Sequence, residues 1–451
     1  MSRSRHRSRA LALALMMLVG TVPAPGAQGA DEANDPVFTQ GLQWGLERIG
    51  APQAWAASRG AGITIAVIDS GLDLTHEDLA DKIVDSTSCV GTSGDPGRCT
   101  GSAQDDNGHG THVAGIAAAA TDNDRGIAGV APDAQLLAVR VLVNECSDSG
   151  CTAAGTSGDV AAGIRWATDH GADVINLSLG GGTLQGTLGC AFCEAINYAW
   201  SQGVIAVIAA GNDSLLPSGF GDEPAIVVTA TTREDERASY SNSTSGILRA
   251  ARWPLAAPGG EGETDPADCA TGGRPKGILS TYWISGHRDE YACLAGTSMA
   301  APHVSGALAL LRSQGLTPEA AVDRLLSTAK DLGAGGRDPA FGMGRIDIGR
   351  AAGPGPAPAT TTPPVDTSTT AAPGTTTPGT TPPDTAPTTV VVPDTSAPAN
   401  RLPGTEQAAQ FGVDEEDEDP SPWLLGIAVA LLSAAGVATV SVAWRLLDRD
   451  D

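Results

Sequence analysis

Gly296-Thr297-Ser298-Met299-Ala300-Ala301-Pro302-His303-Val304-Ser305-Gly306 sets a serine among small residues where a strongly helical run begins. A helix starting at about Thr297 and continuing through Ala307-Leu308-Ala309-Leu310-Leu311 aims its unpaired N–H groups and the positive end of its dipole at Ser298. The spacing puts Pro302 in or near the first turn, where a missing N–H costs little. A Gly-Thr-Ser before a helix is, on its own, most often an N-cap. Two earlier stretches turn the reading towards chemistry.

Ile63-Thr64-Ile65-Ala66-Val67-Ile68-Asp69-Ser70-Gly71 is an apolar, β-branched run that reads as a buried strand delivering a carboxylate at its end. Asp105-Asp106-Asn107-Gly108-His109-Gly110-Thr111-His112-Val113-Ala114-Gly115-Ile116 is a Gly-punctuated loop feeding an Ala-rich helix. An Asp, a His and a Ser in that order, each at the edge of a regular element, follow the chain order of the subtilisin form of the serine-peptidase triad. The three blocks resemble the signature motifs of the subtilisin-like serine peptidases. The similarity runs from about Gln40 to Ala352.

Composition is compatible with that resemblance. The 451 residues carry a net charge of −25, which disfavours a phosphate backbone as partner and rules towards no nucleic acid. All 8 cysteines fall between Cys89 and Cys293, in a chain that opens on an export signal, so disulfides are expected rather than metal ligands. Neighbour pairing joins Cys89 to Cys99, Cys146 to Cys151 and Cys269 to Cys293. Cys190 and Cys193 then form a bridge of their own or cross-pair with the 146/151 loop.

Residues 1–30 read as a signal peptide: Arg3, Arg5, Arg7 and Arg9, an apolar stretch from Ala10 to Gly20, and small residues to Ala30. The short interval before Gln43-Trp44-Gly45-Leu46 leaves no room for the inhibitory propeptide usual in the family. Residues 31–352 form the expected peptidase domain. From Gly62 onward, buried strands alternate with Ala-rich helical stretches, which argues for βαβ crossovers and an α/β fold with a mainly parallel sheet between helices. Strands are expected at Val139 to Val143, Val174 to Leu179, Val204 to Ala209 and Ile226 to Ala230, with helices at Val160 to Thr168 and Cys193 to Ser201. The domain closes near Phe341-Gly342-Met343-Gly344-Arg345-Ile346-Asp347.

Residues 353–421 are Pro-, Thr- and Ala-rich, ending in the acidic run Asp414 to Asp419, and cannot bury a core; a disordered linker is expected. Residues 422–444 read as a transmembrane helix, since the uncharged run from Trp423 to Trp444 would cover about 33 Å at ~1.5 Å per residue. Residues 445–451, with Arg445 and Arg449, form a short cytoplasmic tail by the positive-inside rule.

The resemblance implies roles. Ser298 would be the nucleophile, His109 the general base and Asp69 the group that orients and balances the imidazole. His112, His76 and His303 are the rival bases, but only His109 occupies the motif position. Ala209-Ala210-Gly211-Asn212 after a buried strand matches the family's oxyanion-hole asparagine. Ser178-Leu179-Gly180 resembles the strand edge to which substrate backbone adds. No cofactor is implied for catalysis. A structural Ca2+ is implied in the loop Thr121 to Pro132, with Gln40, Asp78 and Asn123 side chains and the carbonyls of Thr121, Arg125 and Ile127 as six oxygens. The partners implied are protein or peptide substrates and the membrane. Signal, domain, spacer and span together resemble the mycosins, membrane peptidases of type VII secretion systems. A general surface-protein or peptide-precursor peptidase, and a mainly structural part of a membrane secretion complex, are the alternatives.

Overall fold

The computed structural model describes residues 33–147, 150–179, 192–214, 220–245, 250–261, 275–353 and 410–411. The expected signal peptide, linker, membrane span and tail lie outside the described residues, apart from Gln410–Phe411, which run parallel to one strand of a hairpin noted below. Among the described residues no helix is long and apolar enough to cross a membrane.

Seven parallel strands form the central sheet: β1 (Thr64–Asp69), β2 (Ile83–Ser88), β3 (Gln135–Arg140), β6 (Val174–Leu177), β7 (Ile205–Ala209), β8 (Ala225–Thr231) and β9 (Trp253–Pro258). Their spatial order is β2-β3-β1-β6-β7-β8-β9. Between β3 and β6 in sequence, β4 (Val143–Ser147) and β5 (Gly150–Gly155) make an antiparallel hairpin, and Gln410–Phe411 pairs with β5. A second hairpin, β10 (Ile278–Tyr282) with β11 (Glu290–Leu294), stands apart from the sheet.

The central strands are apolar along their whole length because both sheet faces are covered. On β1, Ile65 and Val67 join one core while Ala66 and Ile68 join the other, as a two-residue period requires. The first core is closed by α4 (His109–Ala118) and α7 (Thr297–Ser313), the second by α5 (Ser157–Asp169) and α6 (Cys193–Ser201). This is the expected three-layer arrangement. All ten residues of α4 are buried, so this short helix runs through the interior rather than along the surface.

Two strands differ from the sequence reading by two or more residues at an end. The strand expected at Val139 to Val143 is Gln135–Arg140, because the register of β3 on β1 ends at Asp69 opposite Arg140. There the Asp69 carbonyl accepts from both Val141 N (2.8 Å) and Leu142 N (3.2 Å), turning the still apolar chain away. β6 stops at Leu177, two residues early, where Ser178 leaves the ladder for the site. The disulfide Cys89–Cys99 is present. Cys146, Cys193 and Cys293 are also disulfide-bonded. Cys146 lies opposite Cys151 in the β4–β5 register.

Candidate active site

Asp69 ends β1 with no solvent exposure. Its Oδ1 accepts from Ser70 N (2.7 Å) and meets His109 Nδ1 at 2.7 Å, so His109 presents its Nδ1–H to the carboxylate. The close approach of α4 to the end of β1 depends on Gly110. A Cβ there would collide with the Gly71 carbonyl oxygen and stand 3.1 Å from Asp69 Cβ. Behind the pair lies Asp105, fully buried, which accepts from Ser70 Oγ (2.9 Å), Thr111 N (3.1 Å) and Thr111 Oγ1 (2.6 Å). Burial pushes the Asp105 carboxyl above its usual range, against the pull of these donors. Ser70 Oγ in turn accepts from Gly110 N at 3.0 Å, tying the strand end to the first turn of the helix.

Ser298 is the second residue of α7 and is 1% exposed. Its Oγ donates to the Ser178 carbonyl at 3.2 Å. The preceding residue locks Asn212: Thr297 N (3.0 Å) and Thr297 Oγ1 (2.9 Å) both donate to Asn212 Oδ1, while Gly211 N donates to Thr297 Oγ1 at 3.1 Å. With its oxygen held, the Asn212 amide keeps Nδ2 as a donor, beside a Ser298 N–H that the helix start leaves without an intrahelical acceptor. Gly296 clears the space between the two. A Cβ on it would lie 3.3 Å from Asn212 Nδ2 and 3.6 Å from Ser298 N. Two converging N–H donors beside a hydroxyl can stabilise an oxyanion formed by attack of that hydroxyl.

Pro302 is the sixth residue of the helix, just past the first turn and inside the hydrogen-bonded run. It would have donated to the Ser298 carbonyl, which accepts from Ser178 Oγ at 2.7 Å instead.

The rival histidines are committed elsewhere. His112 Nε2 lies 3.0 Å from Ile278 O and 3.1 Å from Ala292 O, and burial lowers its pKa to about 3. His303 Nδ1 donates to Met299 O at 2.8 Å, and burial lowers its pKa to about 4. His76 Nε2 lies 3.0 Å from Glu290 O, and its Nδ1 accepts from Asp78 N at 3.2 Å. Among these four, His109 is the one that meets Asp69.

Ser178 and Leu179 are buried beside Ser298; Gly180 lies outside the described residues. The residues read as calcium ligands come together in part. Asp78 is fully buried, with Oδ1 accepting from Asn123 Nδ2 (2.9 Å) and Oδ2 from Ile127 N (3.0 Å) and Tyr291 Oη (2.9 Å). The carbonyls of Thr121, Arg125 and Ile127 accept no hydrogen bond among the described residues. Gln40 is a correction: it is exposed at the end of a short helix, Pro36–Thr39. The buried residue at that corner is Asp35, which accepts from Asp122 N (3.1 Å) and Asn123 N (3.4 Å). Desolvation raises the Asp35 pKa. Two buried carboxylates, Asp35 and Asp78, facing one loop whose carbonyls accept no hydrogen bond among the described residues suit a hard cation. Arg125 points its charge away, to Glu77 at 3.5 Å.

A buried Asp–His pair and a helix-start serine flanked by two N–H donors, on a doubly covered parallel sheet, define a serine peptidase of the α/β kind. A sequence model of the subtilase family matches residues 60–344. The chain is 42% identical over 285 residues to thermitase of Thermoactinomyces vulgaris, an alignment that takes in 62% of this chain and 86% of thermitase. It is 38% identical over 280 residues to subtilisin Savinase of Lederbergia lenta, across 61% of this chain and 86% of that one. Among solved structures, a protease from Pseudoalteromonas arctica PAMC 21717 superposes with a TM-score of 0.56 at 31% identity, over 71% of this chain and 98% of that chain. The chain belongs to the subtilase family, and it is a serine endopeptidase.

Proposed function

We propose that the protein is an exported, membrane-anchored endopeptidase that cuts extracytoplasmic proteins through Asp69, His109 and Ser298. Ser298 Oγ attacks the scissile carbonyl as His109 takes its proton. The tetrahedral oxyanion forms between Asn212 Nδ2 and Ser298 N–H, and His109 then returns the proton to the leaving amine. Water enters by the same route to release the acyl group. Asp69 holds the tautomer in which Nδ1 carries a proton and Nε2 is the basic nitrogen. The observation that carries this reading is the 2.7 Å contact of His109 Nδ1 with the buried Asp69 Oδ1. Substrate backbone adds along Ser178, Leu179 and Gly180. A calcium ion at Asp78, Asn123 and the carbonyls of Thr121, Arg125 and Ile127 would brace the amino-terminal corner, with Asp35 in the place first given to Gln40.

The anchor reading rests on the uncharged run Trp423 to Trp444 and the basic residues after it. Together with the export signal and the Pro/Thr-rich spacer, it supports the narrower likeness to the mycosins of type VII secretion. The experiment compares protein fragments shed by intact cells of the wild type and of a Ser298→Ala strain, by N-terminal sequencing. Fragments from surface or secreted proteins that vanish in the variant are expected; identical fragment sets would overturn the reading.

A further inference from the structure

Three buried polar side chains that the reaction itself does not use, those of Ser305, Asn176 and Ser178, form one line from α7 past the end of β6 and back to the nucleophile. Ser305 Oγ donates to Asn176 Oδ1 at 2.8 Å, and Asn176 Nδ2 donates to Ser178 Oγ at 2.9 Å. Ser178 Oγ donates to the Ser298 carbonyl at 2.7 Å, and Ser298 Oγ donates back to the Ser178 carbonyl at 3.2 Å. Asn176, Ser178 and Ser305 have no solvent exposure and Ser298 has 1%, so water cannot substitute for any of them. The reason for the line is Pro302. A proline cannot donate to the carbonyl four residues before it, so the nucleophile's own C=O is left without its helical partner in a place closed to solvent.

We propose that Ser178 is a positioning residue for the nucleophile: its hydroxyl replaces the helical N–H that Pro302 lacks and so fixes the peptide that follows Ser298. The residue that precedes Ser298 is held separately, since Thr297 N and Oγ1 both donate to Asn212 Oδ1. Ser298 is thus held on both sides. Asn176 orients the Ser178 hydroxyl by donating to its oxygen, which leaves the hydroxyl hydrogen for Ser298. Ser305, about two turns further along α7 than Ser298, closes the line by holding the Asn176 oxygen. This role belongs to the Ser178 side chain and is separate from any part its backbone plays in holding substrate. It rests on the reading of Ser298 as nucleophile.

A cycle of Ser178→Ala, Pro302→Ala and the double variant in the full-length protein tests it, because alanine at 302 restores the missing N–H. Active sites are counted with a fluorophosphonate, and kcat and KM are read on a chromogenic peptide. Ser178→Ala is expected to lower kcat about 10- to 100-fold per labelled site, the scale of a nucleophile displaced by a fraction of an ångström, with KM changed less than about threefold. In the Pro302→Ala background the same substitution is expected to lower kcat less than about threefold, because the helix then supplies its own donor. An equal loss in both backgrounds, or no loss in either, overturns the proposal. Should Ser178→Ala alone not fold, a double variant that folds and turns over supports the role, and one that also fails to fold overturns it. Absence of fluorophosphonate labelling in the wild type would strike the nucleophile reading itself, not the relay.

Discussion

Asn212 has one side-chain oxygen and one nitrogen, and Thr297 occupies the oxygen with two donors. Only the nitrogen is left for an oxyanion, so Asn212→Ala should lower kcat on the order of 10²–10³-fold with KM little changed, measured by steady-state hydrolysis of a chromogenic peptide. A loss confined to KM would contradict it. The buried histidines give a pH dependence of stability. His303 titrates at about 4 and His112 at about 3 in the folded state, against 6.5 when unfolded. The unfolded chain therefore binds more protons below about 6.5, and stability should fall as pH drops through that value towards 4. His303→Asn keeps an N–H for Met299 O but does not titrate, so its stability curve should be flatter by about 1.4 kcal/mol per pH unit in that window, by denaturant unfolding. At this scale Asp69, His109 and Ser298 were legible as candidates because each sits in a long signature block, and Asn212 because its short run follows a buried strand in their company. Ser70, Asp105 and Thr297 stood in the same blocks, yet a sequence carries no sign of which way a hydroxyl or carboxylate turns. Gln40 was misplaced for a related reason: it stands five positions after Asp35, and only the fold decides which of the two faces inward.

Elements were legible where one physical signal governed them. The helix Cys193–Ser201 and the strand Ile205–Ala209 stand where amphipathic and apolar runs placed them, the strand one residue shorter. The β10–β11 hairpin and the edge strand β2 went unseen. β2, Ile-Val-Asp-Ser-Thr-Ser, is a mixed and partly exposed segment whose only strong neighbour is β3, so no clean period marks it. Pro302 shows the limit from the other side: its cost was judged from position in the helix, whereas the Ser178 hydroxyl, just past β6, offsets it. The loop from Thr121 to Ile127 gives the test at this scale. If its carbonyls and the carboxylates of Asp35 and Asp78 hold calcium, Tm should rise with calcium and fall with chelator, and Asp78→Ala should remove most of that response. A Tm indifferent to calcium across the millimolar range would leave a hydrogen-bonded turn.

For the whole molecule, the alternation of strand and helix from Gly62 onward fixed the three-layer class, and the sevenfold parallel sheet follows from it. The ends of the chain were read from composition alone. If that reading holds, mild external protease on intact cells should cut the Pro/Thr-rich spacer and release a soluble, active domain ending near Ala352, detected by mass spectrometry. Full-length protein washed from membranes by salt without detergent would contradict the anchor. The central claim, that Ser298 is the nucleophile of an endopeptidase, is tested most directly on the detergent-solubilised full-length protein. Wild type should be labelled by a fluorophosphonate at Ser298 and should cleave a denatured protein substrate. Ser298→Ala, with the same Tm, should take no label and lose on the order of 10⁴–10⁶-fold in kcat; near-wild-type turnover by that variant would contradict the account.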